Sequence, residues 1–223
     1  MEQIHSGPMP GRTVLVTGGT AGIGRATALG LATMGAHLAI TGRDRGRTEG
    51  AAREIRAGGG GQVDVFVADL SSQSEAAGRR RTPGPFPDRC ADQQRLGTGT
   101  PGTSPLDGLE RTFALNHLAP FLLTNLLLDR LKQSAPARVV TVSSNAQAMG
   151  RIDFDDLQGE RSYSASRAYD QSKLANVVFT YELARRLPAS AVTANALHPG
   201  VVSTSFGAED PGRVQRLLVP FMR

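Results

Sequence analysis

The sequence predicts a single α/β domain built on a doubly wound parallel sheet, and three observations support this prediction. Short apolar runs alternate along the chain with longer stretches of helical periodicity, which is the pattern of repeated βαβ units. A glycine-rich turn, residues 17–24, separates the first apolar run from the first helical stretch. With 223 residues, the chain is long enough to bury one full core.

The predicted elements follow from periodicity and from breaker residues. Apolar runs of strand length occupy residues 12–17, 37–41, 63–67, 138–144 and 192–197. Apolar residues at helical spacing occupy residues 22–34, 45–57, 107–132 and 165–187. Strands that alternate with helices in this way are expected to pair in parallel.

The alternation fails between residues 78 and 105, which are rich in glycine, proline, arginine and threonine. A structureless loop of this length is uncommon inside a compact domain. We therefore expect a disrupted fourth βα unit, with no segment of residues 79–105 suited to a buried central strand. The predicted domain spans residues 1–223 and includes this irregular stretch.

Composition argues against several classes of protein. The formal net charge is +5, but apart from the run Arg79-Arg80-Arg81 the arginines are scattered and no aromatic platform accompanies them, so a nucleic-acid partner is not expected. The single cysteine, Cys90, excludes an internal disulfide and fits a reducing compartment. No apolar run approaches a membrane span and no signal pattern opens the chain. The predicted location is therefore cytoplasmic, and no metal site is expected.

The glycine turn predicts a nucleotide site. Gly18, Gly22 and Gly24 stand where the chain must double back tightly and leave its backbone open to a phosphate. The helix that follows offers free N–H groups and the positive end of its dipole to a pyrophosphate. A strand, a glycine turn and a helix in succession are typical of a Rossmann-like dinucleotide-binding domain.

A tyrosine and a lysine predict acid–base chemistry. Tyr169 and Lys173 are four residues apart on a predicted helix, so their side chains share one face. A nearby ammonium group favours the phenolate, which is expected to lower the pKa of Tyr169 and to suit it to general acid–base catalysis. The same spacing also occurs in exposed Tyr–Lys pairs on helix surfaces.

Two polar residues complete the candidate site. Ser144 ends a predicted central strand, where a parallel sheet presents groups to a ligand; a hydroxyl at this position can equally satisfy a turn. Asn116 lies inside a long predicted helix despite its poor helix propensity; it can be functional or simply an exposed polar residue.

The order of these features carries more information than any one of them. Along the chain come a glycine turn at residues 17–24, Asn116, Ser143-Ser144, Tyr169 with Lys173, and a strand that ends in Pro199-Gly200. This order resembles the short-chain dehydrogenase/reductase family over residues 12–77 and 106–206. Residues 172–177, Ser-Lys-Leu-Ala-Asn-Val, and residues 196–204 are similar to the retinol-dehydrogenase-like subgroup.

The resemblance implies a dinucleotide cofactor, with NADP preferred to NAD. Arg43, just past the second predicted strand, would bind the 2′-phosphate of NADP through its N–H donors, whereas a carboxylate there would accept a hydrogen bond from the 2′-hydroxyl of NAD. Arg25 could assist Arg43. The other implied cofactor contacts are Gly18, Gly22, Ile23 and Gly24 at the pyrophosphate, Asp69 and Leu70 at the adenine, Lys173 at the nicotinamide ribose, and Val202 and Thr204, after Pro199 and Gly200, near the carboxamide.

The resemblance also implies catalytic roles in the interconversion of a carbonyl and an alcohol by hydride transfer. Tyr169 would exchange a proton with the substrate oxygen, and Lys173 would lower the pKa of Tyr169. Ser144 would hydrogen-bond the carbonyl, and Asn116 would anchor a proton-relay water. Ser143 is the weaker candidate for the contact with the carbonyl, and His198 is expected to be a structural residue of its turn. The expected substrate is a small, apolar ketone, aldehyde or alcohol.

One departure from the family pattern lies in the irregular stretch. The family carries an Asn-Asn-Ala-Gly signature on its fourth strand, and this chain lacks it. Residues 90–95 read Cys-Ala-Asp-Gln-Gln-Arg, and their codons, taken one nucleotide later, permit Val-Leu-Ile-Asn-Asn-Ala. We therefore hypothesise that a compensating pair of insertions or deletions puts roughly residues 77–105 out of frame.

A second departure is the end of the chain at Arg223, inside the expected substrate-covering segment. Elements that often form the family's oligomer interface are expected to be missing, although a homo-oligomer is not excluded. With both departures, an inactive or impaired remnant that at most binds nucleotide is an alternative to an active enzyme. A nucleotide-sensing protein is a third alternative.

Overall fold

The fold is a parallel sheet covered by helices on both faces. The computed structural model describes residues 8–72, 90–93, 108–187 and 192–200. In these ranges the strands are β1 (Thr13–Thr17), β2 (His37–Gly42), β3 (Val63–Val67), β4 (Cys90–Gln93), β5 (Ala137–Val142) and β6 (Val192–Leu197). They pair in the order β3-β2-β1-β4-β5-β6. This order defines the doubly wound, Rossmann-like fold with its switch point between β1 and β4, so the predicted fold class is confirmed.

Four helices frame the sheet within the described ranges. They are α1 (Gly22–Thr33), α2 (Arg45–Gly59), α3 (residues 111–133) and α4 (Ala165–Arg186). The helix α3 combines a short α-helical start, Arg111–Phe113, a π-helical turn, Ala114–Leu118, and a longer α-helix, Ala119–Gln133. It begins later than the sequence predicts because the Glu110 carboxylate caps it, accepting hydrogen bonds from the backbone N–H groups of Thr112 (2.8 Å) and Phe113 (2.6 Å).

The helices divide between the two faces of the sheet. Val14 and Ile40 point to the face covered by α1 and α2, where Ile55 joins their buried cluster. Leu15 points to the opposite face and packs against Leu123 of α3. Toward the β6 edge, Leu183 of α4 packs in a cluster with residues of β5. Burial on both faces explains why these strands are almost continuously apolar.

The fourth strand corrects one expectation. We expected no segment of residues 79–105 to take a central position, but β4 pairs in parallel with both β1 and β5. Without a strand between β1 and β5, the facing backbone N–H and C=O groups of both strands would be unpaired. A four-residue strand can pair with these groups even though few of its residues are apolar, because the pairing uses backbone atoms. The other residues of the irregular stretch, 78–89 and 94–105, lie outside the described ranges.

The register of β4 coincides with the shifted reading frame. Residue 90 pairs with Val14 and residue 93 pairs with Thr17. The segment that permits Val-Leu-Ile-Asn in the neighbouring frame therefore occupies the strand position itself, and the first asparagine of the missing signature would stand beside the end of β1. This alignment supports the frame-shift hypothesis.

Candidate active site

The turn after β1 has the backbone that a phosphate cradle needs. Gly18 and Gly22 have φ angles of 67° and 52°, a region that favours glycine. A Cβ on Gly24 would collide with the backbone carbonyl of Gly18. The helix α1 begins here, and its N-cap residue, Ala21, makes no side-chain capping hydrogen bond. The fit to a dinucleotide pyrophosphate is therefore good, with the half-buried Ile23 between the second and third glycines.

The loops after β2 and β3 reach the same edge of the sheet. Arg43 follows β2 and is exposed. The carboxylate of Asp69 accepts hydrogen bonds from Ser71, at 2.9 Å from its N–H and 2.7 Å from its hydroxyl. Leu70 is buried against α3. Arg25 forms an exposed ion pair with Glu54 of α2 at 3.0 Å.

Lys173 is a fully buried cation. Its side chain has no exposed surface, and its ammonium donates a hydrogen bond of 3.2 Å to the carbonyl of Val142, the last residue of β5. Burial lowers the pKa of Lys173 to about 8. The ammonium lies 5.5 Å from the ring centroid of Tyr169, so the two residues predicted to share one face do so.

The pKa of Tyr169 differs from the expectation. Burial raises it above its usual value, a hydrogen bond with Ser144 opposes this shift, and the neighbouring charge of Asp170 raises it further. The prediction that Lys173 lowers this pKa is therefore wrong for the chain by itself. The reason is geometric, because the ammonium lies over the ring and is hydrogen-bonded to Val142.

Ser143 and Ser144 have different environments. Ser144 caps a 3₁₀ turn, Asn145–Met149, by accepting from the N–H of Ala146 at 3.3 Å, and it lies close enough to Tyr169 to oppose the rise of that pKa. The interpretation that its hydroxyl satisfies a turn is confirmed, and its contact with a ligand stays a prediction. Ser143 is buried and donates to the carbonyl of Lys173 at 2.8 Å, so it anchors β5 to α4.

Asn116 is buried rather than exposed on the helix surface. It lies in the π-helical turn of α3, a feature that often marks functional sites. Its side-chain amide donates to the hydroxyl of Ser172 at 3.1 Å, and its backbone carbonyl accepts from the amide of Asn176 at 3.0 Å. These contacts join α3 to α4 directly beside Lys173.

The end of β6 lies beside the serine pair. The N–H of Ser143 donates to the carbonyl of Leu197 at 2.8 Å, and His198, Pro199 and Gly200 follow. His198 is exposed. Val202 and Thr204 lie outside the described residues, so their roles stay predictions.

The sequence argument missed two residues of α4. Asn176 is buried and joins the π-helical turn to α4. Gln171 is also buried and contacts the segment that precedes α4. Helical spacing could have indicated Asn176, which lies three residues after Lys173 and seven after Tyr169.

A doubly wound sheet with a glycine turn at its switch point defines a dinucleotide-binding domain. The chain belongs to the short-chain dehydrogenase family, whose model matches residues 12–78 and 100–213. No helix in the described parts of the chain is long and apolar enough to cross a membrane.

The resemblance to the retinol-dehydrogenase-like subgroup is confirmed. The chain is 44% identical to retinol dehydrogenase 14 of Mus musculus over 214 residues, which cover 90% of this chain and 64% of that protein. It is 45% identical to retinol dehydrogenase 13 of Homo sapiens over 207 residues, which cover 89% of this chain and 61% of that protein. The chain therefore spans less than two thirds of the length of these relatives.

Solved structures share the fold. A crystal structure of a protein from Mycobacterium paratuberculosis is 39% identical, with a TM-score of 0.76 over 94% of this chain and 76% of that one. The NADP complex of RhlG from Pseudomonas aeruginosa is 29% identical, with a TM-score of 0.70 over 91% of this chain and 78% of that one.

Proposed function

We propose that the chain forms one dinucleotide-binding domain, residues 1–223, of an oxidoreductase that prefers NADP and interconverts a carbonyl and an alcohol. The observation that carries this proposal is the position of the fully buried Lys173, whose ammonium lies 5.5 Å from the ring centroid of Tyr169 and 3.2 Å from the carbonyl of Val142 at the end of β5. Ser144 lies close enough to Tyr169 to oppose the rise of its pKa, so a phenol and a hydroxyl are available to hydrogen-bond one substrate oxygen. Burial of an ammonium without a carboxylate partner is energetically costly, and groups with pKa values perturbed in this way occur most often at functional sites.

In this proposal, Tyr169 is the proton donor for carbonyl reduction. Because burial raises its pKa, the phenol stays protonated near neutral pH and can give its proton to the developing alkoxide. Ser144 donates its hydroxyl hydrogen to the same oxygen and orients the carbonyl. Asn116 holds a relay water. Its place in the π-helical turn of α3 supports this role, because such turns often occur at functional sites.

Bound NADP(H) supplies the hydride, and the chain binds and orients it. The guanidinium of Arg43, exposed directly after β2, donates hydrogen bonds to the 2′-phosphate. The RhlG structure, which contains NADP, supports the choice of cofactor. The remaining residues assigned to the cofactor are Gly18, Gly22, Ile23 and Gly24 for the pyrophosphate, Asp69 and Leu70 for the adenine, Lys173 for the nicotinamide ribose, and Pro199, Gly200, Val202 and Thr204 for the carboxamide side.

The proposed substrate is a small, apolar aldehyde, ketone or alcohol. The names of the similar proteins indicate a retinoid or a molecule like it. Met149 and Phe154, in the segment between Ser144 and Tyr169, are 77% and 80% exposed and offer apolar surface to such a molecule. Homo-oligomer formation and a cytoplasmic location stay predictions from the sequence.

Two alternatives are an impaired remnant and a nucleotide sensor. The weakly apolar composition of β4 in the middle of the sheet favours the remnant. A titration with NADPH and NADH, followed by thermal shift, tests for a folded cofactor site, because a ligand that binds the folded chain stabilises it. A chain that binds neither cofactor contradicts the proposal.

Turnover then separates an enzyme from a sensor. We expect NADPH-dependent reduction of apolar aldehydes, retinal and benzaldehyde among them, and a loss of about 10²- to 10⁴-fold in kcat for Tyr169→Phe with unchanged NADPH affinity. Tyr181→Phe, at an exposed tyrosine on α4, is the matched control and should keep full activity. Cofactor binding without turnover in the unmodified chain would favour the sensor or the remnant.

A further inference from the structure

The structure singles out the segment that connects Ser144 with the helix of Tyr169. This linking segment, residues 145–164, begins with the 3₁₀ turn capped by Ser144. It ends at Ser164, whose hydroxyl accepts from the N–H of Arg167 and caps α4. Ser144 therefore lies at one end of this stretch of backbone, and the helix that carries Tyr169 begins at the other end. The relative position of the Ser144 and Tyr169 hydroxyls depends on how that stretch is held.

Gln171 holds the linking segment on α4 by two hydrogen bonds. Its side-chain oxygen accepts from the N–H of Asp153 at 3.0 Å, and its side-chain nitrogen donates to the carbonyl of Leu157 at 3.1 Å. Both partners are backbone groups, so the orientation of the amide follows from their chemistry. Gln171 is only 7% exposed, and buried hydrogen bonds of this kind fix geometry because their loss leaves polar groups unpaired.

A close backbone approach supports the same contact. Gly150 lies against α4, where an added Cβ would stand 2.5 Å from the carbonyl oxygen of Asp170 and 2.9 Å from the Cβ of Leu174. A glycine is therefore needed for the segment to reach the turn of α4 that carries Tyr169. The segment therefore contacts α4 at two places. Gly150 packs against the helix just after the 3₁₀ turn, and the backbone groups of Asp153 and Leu157 bond Gln171.

The far end of the linking segment is fastened to α3. The Tyr163 hydroxyl donates to the carboxylate of Glu110 at 3.2 Å, and the N–H of Glu110 donates to the side-chain oxygen of Gln158. Glu110 also caps α3, the helix of Asn116. The segment thus bridges the two helices of the candidate site, and Gln171 supplies its central attachment.

We propose that Gln171 is a positioning residue, which clamps residues 153–157 to α4 and thereby sets the separation of the Ser144 and Tyr169 hydroxyls around the substrate oxygen. This inference rests on the proposed function. It also assigns a role to a position between the tyrosine and the lysine that acid–base chemistry does not itself require. A loosened segment should misplace Ser144 and the apolar surface of Phe154 while leaving the glycine turn untouched.

Three variants test the clamp. Gln171→Met keeps the length of the side chain and removes both hydrogen bonds. Gln171→Glu keeps the acceptor for Asp153 but, when ionised, faces the Leu157 carbonyl without a proton to donate. Gln133→Met, at an exposed glutamine at the end of α3, is the matched control. We expect kcat/KM for apolar aldehydes to fall about 10- to 100-fold in Gln171→Met, with unchanged NADPH affinity, and to stay at the wild-type value in the control.

The glutamate variant provides a signature that a purely structural role would not produce. Burial raises the pKa of a carboxyl group, and the protonated acid can donate to Leu157 as the amide does. Activity of Gln171→Glu relative to wild type should therefore recover as the pH is lowered, whereas Gln171→Met should show no recovery. Equal pH profiles for the two variants would contradict the clamp.

Hydrogen–deuterium exchange separates failure of this inference from failure of the proposed function. The amide of Asp153 and its neighbours should exchange faster in Gln171→Met than in wild type, whether or not the chain turns over. Unchanged exchange overturns the inference, and so does a Gln171→Met variant with wild-type kcat/KM in an enzyme that Tyr169→Phe inactivates. If the unmodified chain binds NADPH but reduces no aldehyde, the proposed function fails instead.

Discussion

Lys173 is the buried charge of the candidate site. It is fully buried, and within the described contacts its hydrogen bond goes to the neutral carbonyl of Val142 rather than to a carboxylate. A cation in such a place is stabilised less than in water, which is why its pKa falls to about 8. A group of this kind changes its charge under mildly alkaline conditions, where the phenol of Tyr169, whose pKa is raised, is still protonated.

This shift predicts a pH dependence of stability. The folded chain releases the Lys173 proton at about pH 8 and the unfolded chain near its ordinary value of 10.5, so between these values the unfolded state binds more protons. The free energy of unfolding should therefore rise with pH across this window, by at most about 3 kcal/mol. Urea unfolding at several pH values measures it. Lys173→Met should abolish the rise and Lys132→Met, at an exposed lysine, should not; a rise that persists in Lys173→Met contradicts the assignment.

Some properties of individual residues were predictable from the sequence and others were not. The spacing of Tyr169 and Lys173 predicted that they share a face, because helix geometry is local. The direction of the Tyr169 pKa was not predictable from the same spacing, since it depends on burial by distant strands and on where the ammonium points. The two hydrogen bonds of Gln171 were equally unpredictable. They go to backbone groups of Asp153 and Leu157, and no sequence motif marks such groups.

At the scale of elements, the junction of α3 and α4 depends on Asn176. Its amide donates to the backbone carbonyl of Asn116 at 3.0 Å, and its oxygen meets the ring nitrogen of His117 at 3.0 Å. Burial lowers the pKa of His117, so the ring is neutral at physiological pH and its N–H can donate to that oxygen. Asn176 thus ties two residues of the π-helical turn to α4, beside the hydrogen bond from Asn116 to Ser172.

Asn176→Leu should therefore destabilise the chain. Leaving the carbonyl of Asn116 and the ring of His117 without their partner costs about 1–3 kcal/mol for each buried group. The free energy of unfolding from urea titration measures the loss. Asn125→Leu, at an exposed position of α3, should change it by less than about 0.5 kcal/mol. Equal effects of the two substitutions would show that the junction does not depend on Asn176.

The strand β4 is the element in which sequence and position agree least. A central strand of a parallel sheet is normally apolar on both faces, whereas this one reads Cys-Ala-Asp-Gln. Its register places residue 92 between Val16 of β1 and Val140 of β5. The shifted frame would put isoleucine there.

Replacement of residues 90–95 by Val-Leu-Ile-Asn-Asn-Ala should therefore stabilise the chain, by roughly 2 kcal/mol or more if two further side chains are buried. Thermal unfolding with and without the replacement measures the gain. The scrambled hexapeptide Asn-Val-Asn-Ala-Ile-Leu in the same place is the control. The nucleotide sequence gives a separate check, since a neighbouring frame that does not read Asn-Asn-Ala removes the basis for the replacement.

On the scale of the whole molecule, the proposed cofactor site is an assembly of loops from one edge of the sheet. The glycine turn follows β1, Arg43 follows β2, Asp69 and Leu70 follow β3, and these strands are neighbours. The carboxyl ends of parallel strands meet at one edge, which is why residues far apart in sequence can serve one ligand. The choice between NADP and NAD then depends on the charge after β2.

Arg43→Asp should change this choice. The substitution removes the proposed partner of the 2′-phosphate and adds an acceptor for a 2′-hydroxyl, so the affinity ratio of NADPH to NADH should fall about 10- to 100-fold. Titration with each cofactor, followed by thermal shift, gives the ratio. Arg53→Asp, at an exposed arginine on α2, makes the same change of charge and should leave the ratio unaltered. A ratio that Arg43→Asp does not move contradicts the role of Arg43.

The parts of the architecture that the sequence predicted are those with strong local patterns. The first strand, the glycine turn and the first helix were predictable because each follows from neighbouring residues. Strand β4 was not, since its place is set by the unpaired edges of β1 and β5 rather than by its own composition. The π-helical turn in α3 was missed for a similar reason, because contacts with α4 stabilise it.

The central claim is that this chain transfers hydride with Tyr169 as the proton donor, and isotope transfer tests it most directly. The chain is incubated with NADPH carrying deuterium at the transferable position and an apolar aldehyde, and the alcohol is analysed by mass spectrometry. We expect carbon-bound deuterium in the alcohol from the unmodified chain and essentially none from Tyr169→Phe in the same time. An alcohol without deuterium, or equal labelling by both chains, would contradict the claim.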